Sequence, residues 1–494
     1  MAAEELARAL AESGTDLCFG VPGGGANLEL IGACERHGIR FVLMHGETSA
    51  VIAAGVYGEL TGSPGLAIVT RGPGLASAAN GIAQALLDRQ PVIVATDGTG
   101  HASSHQRLDH AALSAPIAKA ILDDPAEAVR TSLALPQGPV VMDLGAPRRA
   151  AAVLPPASTA RKCQALSGGR KPVVVAGVGV RRAEHALRAV VRGTLIPVLT
   201  TYKAKGAVPE SWPNAAGLLT GAAIETPLLA EADLIVLVGV DPVELIPGAW
   251  PAVAPVLSLS PWTVDDPRIP IAEQRVGLLP DLLGALVLDG SGWERTGATW
   301  CRASAAAIRV GTAGLAPHTA IEAARAALGP DATATVDAGA HMLVAMPLWT
   351  VEEPQRCLIS SGLATMGFAV PAAIAAALVR GGPVVCITGD GGLGMCLGEL
   401  ETVARLGCDL RVLLLDDSAL SLIEIKQGDG QGGPGAVRHR DVAFSAVATA
   451  MGLRGVVVST PAEVAEAIAR PGPSLVHARI DPGGYREVLR AIRG

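Results

Sequence analysis

Residues 383–426 read PVVCITGDGGLGMCLGELETVARLGCDLRVLLLDDSALSLIEIK. An apolar run of strand composition, Pro383–Thr388, ends in Gly389-Asp390-Gly391-Gly392. Leu397, Leu400, Val403 and Leu406 then recur at helical spacing, which puts them on one face of a helix. A second apolar run, Arg411–Leu415, ends in Asp416-Asp417. Strand, helix and strand in this order predict two neighbouring parallel strands, with both acidic sites at carboxyl ends, where open α/β sheets bind ligands. The glycines let backbone approach a phosphate, and the carboxylates are the hard oxygen donors that Mg²⁺ takes. A dication is also what holds a diphosphate beside two acidic side chains. A GDG turn alone is ordinary punctuation; the second acidic strand end beside it points to a site.

The same alternation of short β-rich runs and Ala/Leu/Glu/Arg helical patterns extends outward over the whole chain. It predicts an α/β fold, three doubly wound parallel-sheet domains in series. At roughly 150 residues per domain, 494 residues suit that count. The first domain, residues 1–150, is expected to hold strands at Leu17–Gly20, Phe41–Met44, Gly65–Thr70, Pro91–Thr96 and Pro139–Asp143. After Pro147 the chain is basic, Pro-containing and aperiodic, which reads as a linker. The central domain, residues 168–290, is expected to use Pro172–Ala176, Ile196–Thr200, Leu234–Gly239 and Val256–Leu259; its pattern fades across the Gly/Ser-rich residues 285–312. The third, residues 312–494, adds Thr333–Val336 and Ser474–Ala478 to the two runs quoted above.

Composition excludes several functions. Only 3% of residues are aromatic, too few for base-stacking platforms, and a net charge of −7 without a long Lys/Arg run makes nucleic acid a poor partner. The eight cysteines form no CxxC pair and mostly sit in apolar stretches, as reduced thiols in a cytoplasm do. The N-terminal MAAEELARALAESG is acidic and amphipathic, unlike a signal peptide. Gly362–Val379 is uncharged and long enough to raise a transmembrane flag, but its Gly, Pro and Ala content reads as a buried loop and helix. His101, His105 and His110, with Asp109, are possible zinc ligands, although their spacing matches no closed site. Gly177-Val178-Gly179-Val180 is too short for a dinucleotide fingerprint, so FAD is possible and not predicted. GVPGGGAN at Gly20–Asn27 begins no such fingerprint either, which disfavours an NAD-type oxidoreductase.

Asp390 within its GDG, with Asp417 ending the next strand, resembles the diphosphate and metal motif of thiamine-diphosphate enzymes, in particular the acetolactate synthase and 2-oxo acid decarboxylase group. The resemblance implies that Asp390, Asp417 and the carbonyl of Ala419 coordinate Mg²⁺, with Gly389, Gly391, Gly392 and Ser421 around the diphosphate. The group usually has Asn where Asp417 stands, so an extra negative charge faces the metal here. Phe41–Met44 leads into His45-Gly46-Glu47 and the helical AVIAAGVYGELTG, similar to the strand and helix that carry the group's indispensable Glu. Taken alone, Glu47 could be a helix N-terminal acid paired with the dipole; by the resemblance it shares a proton with a pyrimidine nitrogen, which an apolar setting favours.

Pro22 and Gly23, within Phe19–Gly25, resemble the group's first glycine loop, and Gly72-Pro73-Gly74 its turn beneath the pyrimidine. Ser361–Phe368 is similar to the segment that bends the cofactor, with Met366 wedged between the rings and the Ala364 carbonyl accepting from the 4′-amino group. Gly339, Ala340 and His341 fall where the group grips the diphosphate, Ala340 replacing the common Gln. His105-Gln106-Arg107-Leu108-Asp109 resembles the segment whose Gln points at the substrate carbonyl, so Gln106, then His105, is the candidate polarising residue; a solvated loop is the other reading. The implied activity is decarboxylation of a 2-oxo acid and ligation of the product to a second carbonyl compound. The alternatives are a decarboxylase or hydroxyketone lyase without ligation, and a non-catalytic cofactor-binding relative. In this group the cofactor bridges two subunits, which implies a homodimer or homotetramer with no membrane partner.

Overall fold

The computed structural model describes residues 2–98, 105–145, 169–246, 248–428 and 430–494. The strands group into three six-stranded sheets in series, with all ladders parallel. The first holds β1 (Leu17–Val21), β2 (Arg40–Leu43), β3 (Gly65–Val69), β4 (Val92–Thr96), β5 (Ala120–Leu122) and β6 (Val140–Asp143). The second holds β7 (Pro172–Ala176), β8 (Val198–Thr200), β9 (Ala215–Leu218), β10 (Leu234–Val238), β11 (Val256–Ser260) and β12 (Ile271–Val276). The third holds β13 (Thr333–Val336), β14 (Cys357–Ile359), β15 (Val384–Gly389), β16 (Leu410–Asp416), β17 (Arg454–Val458) and β18 (Ser474–Arg479). Central strands such as β4, β7, β10 and β16 are buried along their whole length, because helices cover both faces of a parallel sheet and leave no side for polar residues. The fold is the α/β architecture expected, three doubly wound sheets in series.

The first sheet runs β2-β1-β3-β4-β6-β5 and the third β14-β13-β15-β16-β18-β17, which is one order used twice. In each, the chain leaves its first strand to one side and returns on the other, so a crevice opens at the carboxyl ends between β1 and β3 and between β13 and β15. The first and third units share a core. Helix Glu47–Thr61 packs against helix Ala369–Arg380, and Ala50, Ala53, Ala54, Ala372, Ala373 and Ala376 are fully buried there. The uncharged stretch Gly362–Val379 is therefore a loop followed by a helix enclosed by protein. No helix among the described residues is long and apolar enough to cross a membrane.

Five strands lie outside those expected: β5, β9, β12, β14 and β17. The segment read as a fading boundary contains helix Gly297–Ala307, which packs on β9. The linker after Pro147 falls outside the described residues, as do Cys163 and His101. The other seven cysteines are free.

Candidate active site

At the switch point of the third sheet a cavity of about 210 Å³ opens. Gly339, Ala340 and His341 enter it after β13; Gly389, Asp390, Gly391 and Gly392 enter from the end of β15. Asp417, Ala419 and Ser421 follow β16, and Ala364 and Met366 come from the loop after β14. The structure thus brings every third-domain candidate of the sequence to one cavity. Tyr485, Leu420, Leu422 and Ile423 line it as well. At Gly391 a Cβ would stand 2.6 Å from Leu420 Cδ2 and 3.1 Å from Met366 Cε, so this glycine is what lets those side chains close on the loop. Ala364 holds φ 52°, a left-handed conformation that a side chain strains, and the loop beyond it is fixed by Asp337. The Asp337 carboxylate accepts from Gly367 N at 3.1 Å, Phe368 N at 3.2 Å and Thr388 Oγ1 at 3.0 Å.

The cavity is charged one way. Burial, and then the charges of Asp417 and Asp416, push the Asp390 carboxyl up to about 7. Burial pushes Asp417 up to about 6, against a hydrogen bond from the Ser421 hydroxyl. No basic side chain among the described residues pairs with either. Asp416 faces the other way, as alternation along a strand requires: its Oδ2 lies 2.6 Å from His477 Nε2, and its Oδ1 accepts from Ser418 N at 2.9 Å. Burial opposes ionisation of Asp416, yet these bonds hold it below the ordinary aspartate value. His341 is buried, which pushes its pKa down to about 4, and its Nε2 has no hydrogen-bond partner. Two uncompensated carboxylates, the carbonyl of Ala419 and an orphaned imidazole nitrogen suit a divalent cation with a phosphate-bearing ligand.

The first-domain candidates gather at the carboxyl edge of the first sheet. Gly23 N donates to Asn27 Oδ1 at 2.8 Å, and a Cβ on Gly23 would stand 2.2 Å from Thr70 Oγ1, so the loops after β1 and β3 touch just beyond Pro22. Gly72, at φ 61°, could not carry a side chain: its Cβ would meet the Gln106 carbonyl oxygen at 2.3 Å. Pro73 and Gly74 open the next helix, and Glu47 Oε1 lies 3.5 Å from where a Gly74 Cβ would stand. The turn before Glu47 is held by the third unit, since Glu399 Oε1 accepts from His45 N at 3.0 Å and Gly46 N at 3.1 Å. Gln106 and His105 are exposed. His110 is engaged at both ring nitrogens, by Gly72 N at 3.3 Å and the Asp143 carboxylate at 3.3 Å. Gly177 and Gly179 have a packing reason of their own, because Cβ atoms there would stand 2.3 Å from Val240 Cα and 2.9 Å from Gly239 Cα.

None of these first-domain residues lines the third-domain cavity. Within one chain the candidates therefore fall into two separate groups. Glu399, Tyr485 and Ile423 carried no local sequence signal, since each is brought to its place by the tertiary fold and not by a motif around it.

Three family models match the chain, one within each of its three units: the thiamine pyrophosphate enzyme N-terminal TPP binding domain over residues 1–116, the central domain over 159–257 and the C-terminal TPP binding domain over 337–478. Similar curated proteins include acetolactate synthase isozyme 1 large subunit of Escherichia coli (strain K12), 27% identical over 97% of this chain and 94% of that protein. Acetolactate synthase isozyme 2 large subunit of the same strain is 28% identical over 97% of this chain and 95% of its own length. Acetolactate synthase of Bacillus subtilis (strain 168) is 26% identical over 97% and 93%.

Proposed function

The chain belongs to the thiamine pyrophosphate enzyme family, a thiamine diphosphate-dependent enzyme by all three of its matched regions, and from that premise we propose an acetolactate synthase-like carboligase that uses Mg²⁺. The observation that carries the site assignment is the cavity after β13, β15 and β16, with its unpaired Asp390 and Asp417 and the free Nε2 of His341. When bound, thiamine diphosphate would supply a nucleophilic carbon for a 2-oxo acid carbonyl and a thiazolium ring as the sink for the electron pair that carbon dioxide leaves behind. The chain's residues do the rest. Asp390, Asp417 and the Ala419 carbonyl hold the metal, and His341 and the backbone of Gly389–Gly392 receive the diphosphate. Met366 shapes the space for the two rings, and the Ala364 carbonyl orients the amino group. Glu47 holds a proton at a ring nitrogen, and Gln106, with His105 beside it, stabilises developing negative charge on the substrate oxygen.

Because Glu47 and Asp390 belong to separate half-sites, the working form is a homodimer or a dimer of dimers, each site completed by a second chain. The free thiols fit a cytoplasmic enzyme. Likeness to acetolactate synthases over nearly the whole chain favours ligation over simple decarboxylation. The test is calorimetric titration of the full chain with thiamine diphosphate and MgCl₂, then turnover of pyruvate assayed for acetolactate and acetaldehyde. Acetaldehyde without acetolactate would select the decarboxylase alternative; binding with no turnover of any 2-oxo acid would select the non-catalytic one. Glu47→Gln is expected to lower turnover by about a hundredfold or more while diphosphate-end binding persists; unchanged turnover would remove Glu47 from its role.

A further inference from the structure

A buried charge chain joins all three units behind the site, and nothing in the reaction above uses it. Glu59, on helix Glu47–Thr61, accepts from Lys203 Nζ at 2.7 Å and meets Arg181 at 3.0 Å. Lys203 and Arg181 belong to the central unit. Burial alone would raise the Glu59 carboxyl, yet Arg181 and Lys203 hold it below the usual range. Lys203 Nζ also donates to the carbonyl of Ile359, the last residue of β14, at 3.3 Å and lies 3.7 Å from Asp88. Asp88 ends helix Pro73–Leu87, the helix that begins with the GPG turn. Glu59 and Asp88 thus face Lys203, and Glu59 faces Arg181, so that each acidic side chain has a basic partner.

Asp88 then reaches into the third unit. Its Oδ1 accepts from Ser361 N at 3.1 Å and Gly362 N at 2.8 Å, the first residues of the loop that carries Ala364 and Met366. The approach is close: a Cβ on Gly362 would stand 2.6 Å from Leu87 Cβ. Eight residues earlier on the same helix, about 12 Å along its axis, Asn80 Nδ2 donates to Thr365 Oγ1 at 2.8 Å. One first-unit helix thus grips the loop at both ends of the Gly362–Thr365 stretch, while Asp337 fixes Gly367 and Phe368 from within the third unit.

We propose that Asp88 is a positioning residue: with Asn80 it sets the loop Ser361–Met366, and so the Ala364 carbonyl and Met366 side chain, and through Lys203 it couples that setting to the central unit. The assignment rests on the cofactor reading above. An ion cluster that merely glued the units together would affect stability and leave turnover per loaded site unchanged. The two roles separate in Asp88→Asn, tested in the full chain with thiamine diphosphate, MgCl₂ and pyruvate. Positioning predicts that kcat falls about ten- to a hundredfold while the calorimetric Kd of the cofactor moves by less than about threefold, since a small misplacement costs rate before it costs binding. Amide exchange in the cofactor-free protein should rise in residues 360–366 and stay unchanged at Gly367–Phe368.

Should Asp88→Asn not fold, Asn80→Ala, at an exposed position, must give the same split with a smaller loss of kcat. Unchanged kcat per bound cofactor, or unchanged exchange in the loop, overturns the proposal. Failure of the unaltered chain to bind thiamine diphosphate overturns the cofactor reading and the catalytic part of this one, and it is seen before any variant is made.

Discussion

Asp390 and Asp417 face one cavity with no cation among the described residues between them, and their raised values fix the sign of a pH dependence. A carboxyl whose folded value lies above its unfolded one keeps a proton the unfolded chain has released, so its ionisation subtracts stability as pH rises from about 4 to about 7. Asp417→Asn removes one of the two charges and keeps an oxygen for the metal. In the metal-free protein it should raise the thermal midpoint by about 1 °C, on the order of 1 kcal/mol, at about pH 7.5, a gain that fades at about pH 5 where the carboxyls are protonated. Thermal scans at both pH values check this; an equal gain at both would mean that packing and not charge is responsible. MgCl₂ should stabilise the unaltered chain more than the variant. Much of this chemistry was legible in the sequence, because glycine–acid clusters at strand ends announce themselves locally. Strand periodicity by itself leaves Asp416 and Asp417 equivalent, and only the family resemblance singles out Asp417. Strand alternation sends one to His477 and the other to the cavity, and which goes where depends on a strand boundary one residue long.

At the scale of elements, the junction of β15 and the helix Asp390–Met395 shows how two adjacent glycines can matter differently. A Cβ at Gly391 meets the flexible ends of Leu420 and Met366, whereas at Gly392 it would stand 2.2 Å from Asp337 Oδ2, which is locked by its backbone hydrogen bonds. Gly392→Ala is therefore expected to cost about 2–4 kcal/mol and lower the yield of folded protein. Gly391→Ala should fold and instead weaken thiamine diphosphate binding by displacing Met366, which calorimetry with the cofactor and MgCl₂ would read; equal stability of the two variants would contradict this. The strands legible in the sequence were mostly central ones, whose continuous apolar runs follow from burial on both faces. All five that escaped notice, β5, β9, β12, β14 and β17, lie at sheet edges. An edge strand is short or half exposed: β14 has three residues, and Arg454–Val458 keeps only Val458 fully buried. Their pattern thus carries too little periodicity to stand out from loop. The helix Ala369–Arg380 is the opposite case, uncharged up to its last residue because helix Glu47–Thr61 and the third sheet enclose it, which is why the stretch ending at Val379 could pass for a membrane span.

On the scale of the molecule, two sheets of one strand order each carry a group of candidate residues, and the group with Glu47 does not line the cavity with Asp390. Helix Glu47–Thr61 is already packed against Ala369–Arg380 of its own chain, and Glu399 holds the turn before Glu47, so closing the two halves within one chain would require breaking a fully buried core. Pairing between chains leaves that core intact. Exposed Leu28, Leu43, Leu363 and Met395 offer apolar surface for such an association. The consequence is a complementation test. In a mixture of Glu47→Gln chains and Asp390→Ala chains, each inactive alone, a mixed dimer holds one site built from two altered residues and one built from two intact ones. Random reassociation makes half the dimers mixed, so about one quarter of the unaltered activity should return. Sites closed within single chains would return none, because every chain in the mixture carries a damaged half. The recovered rate should also fall on dilution below the dimer dissociation constant, in step with the dimer fraction seen by sedimentation.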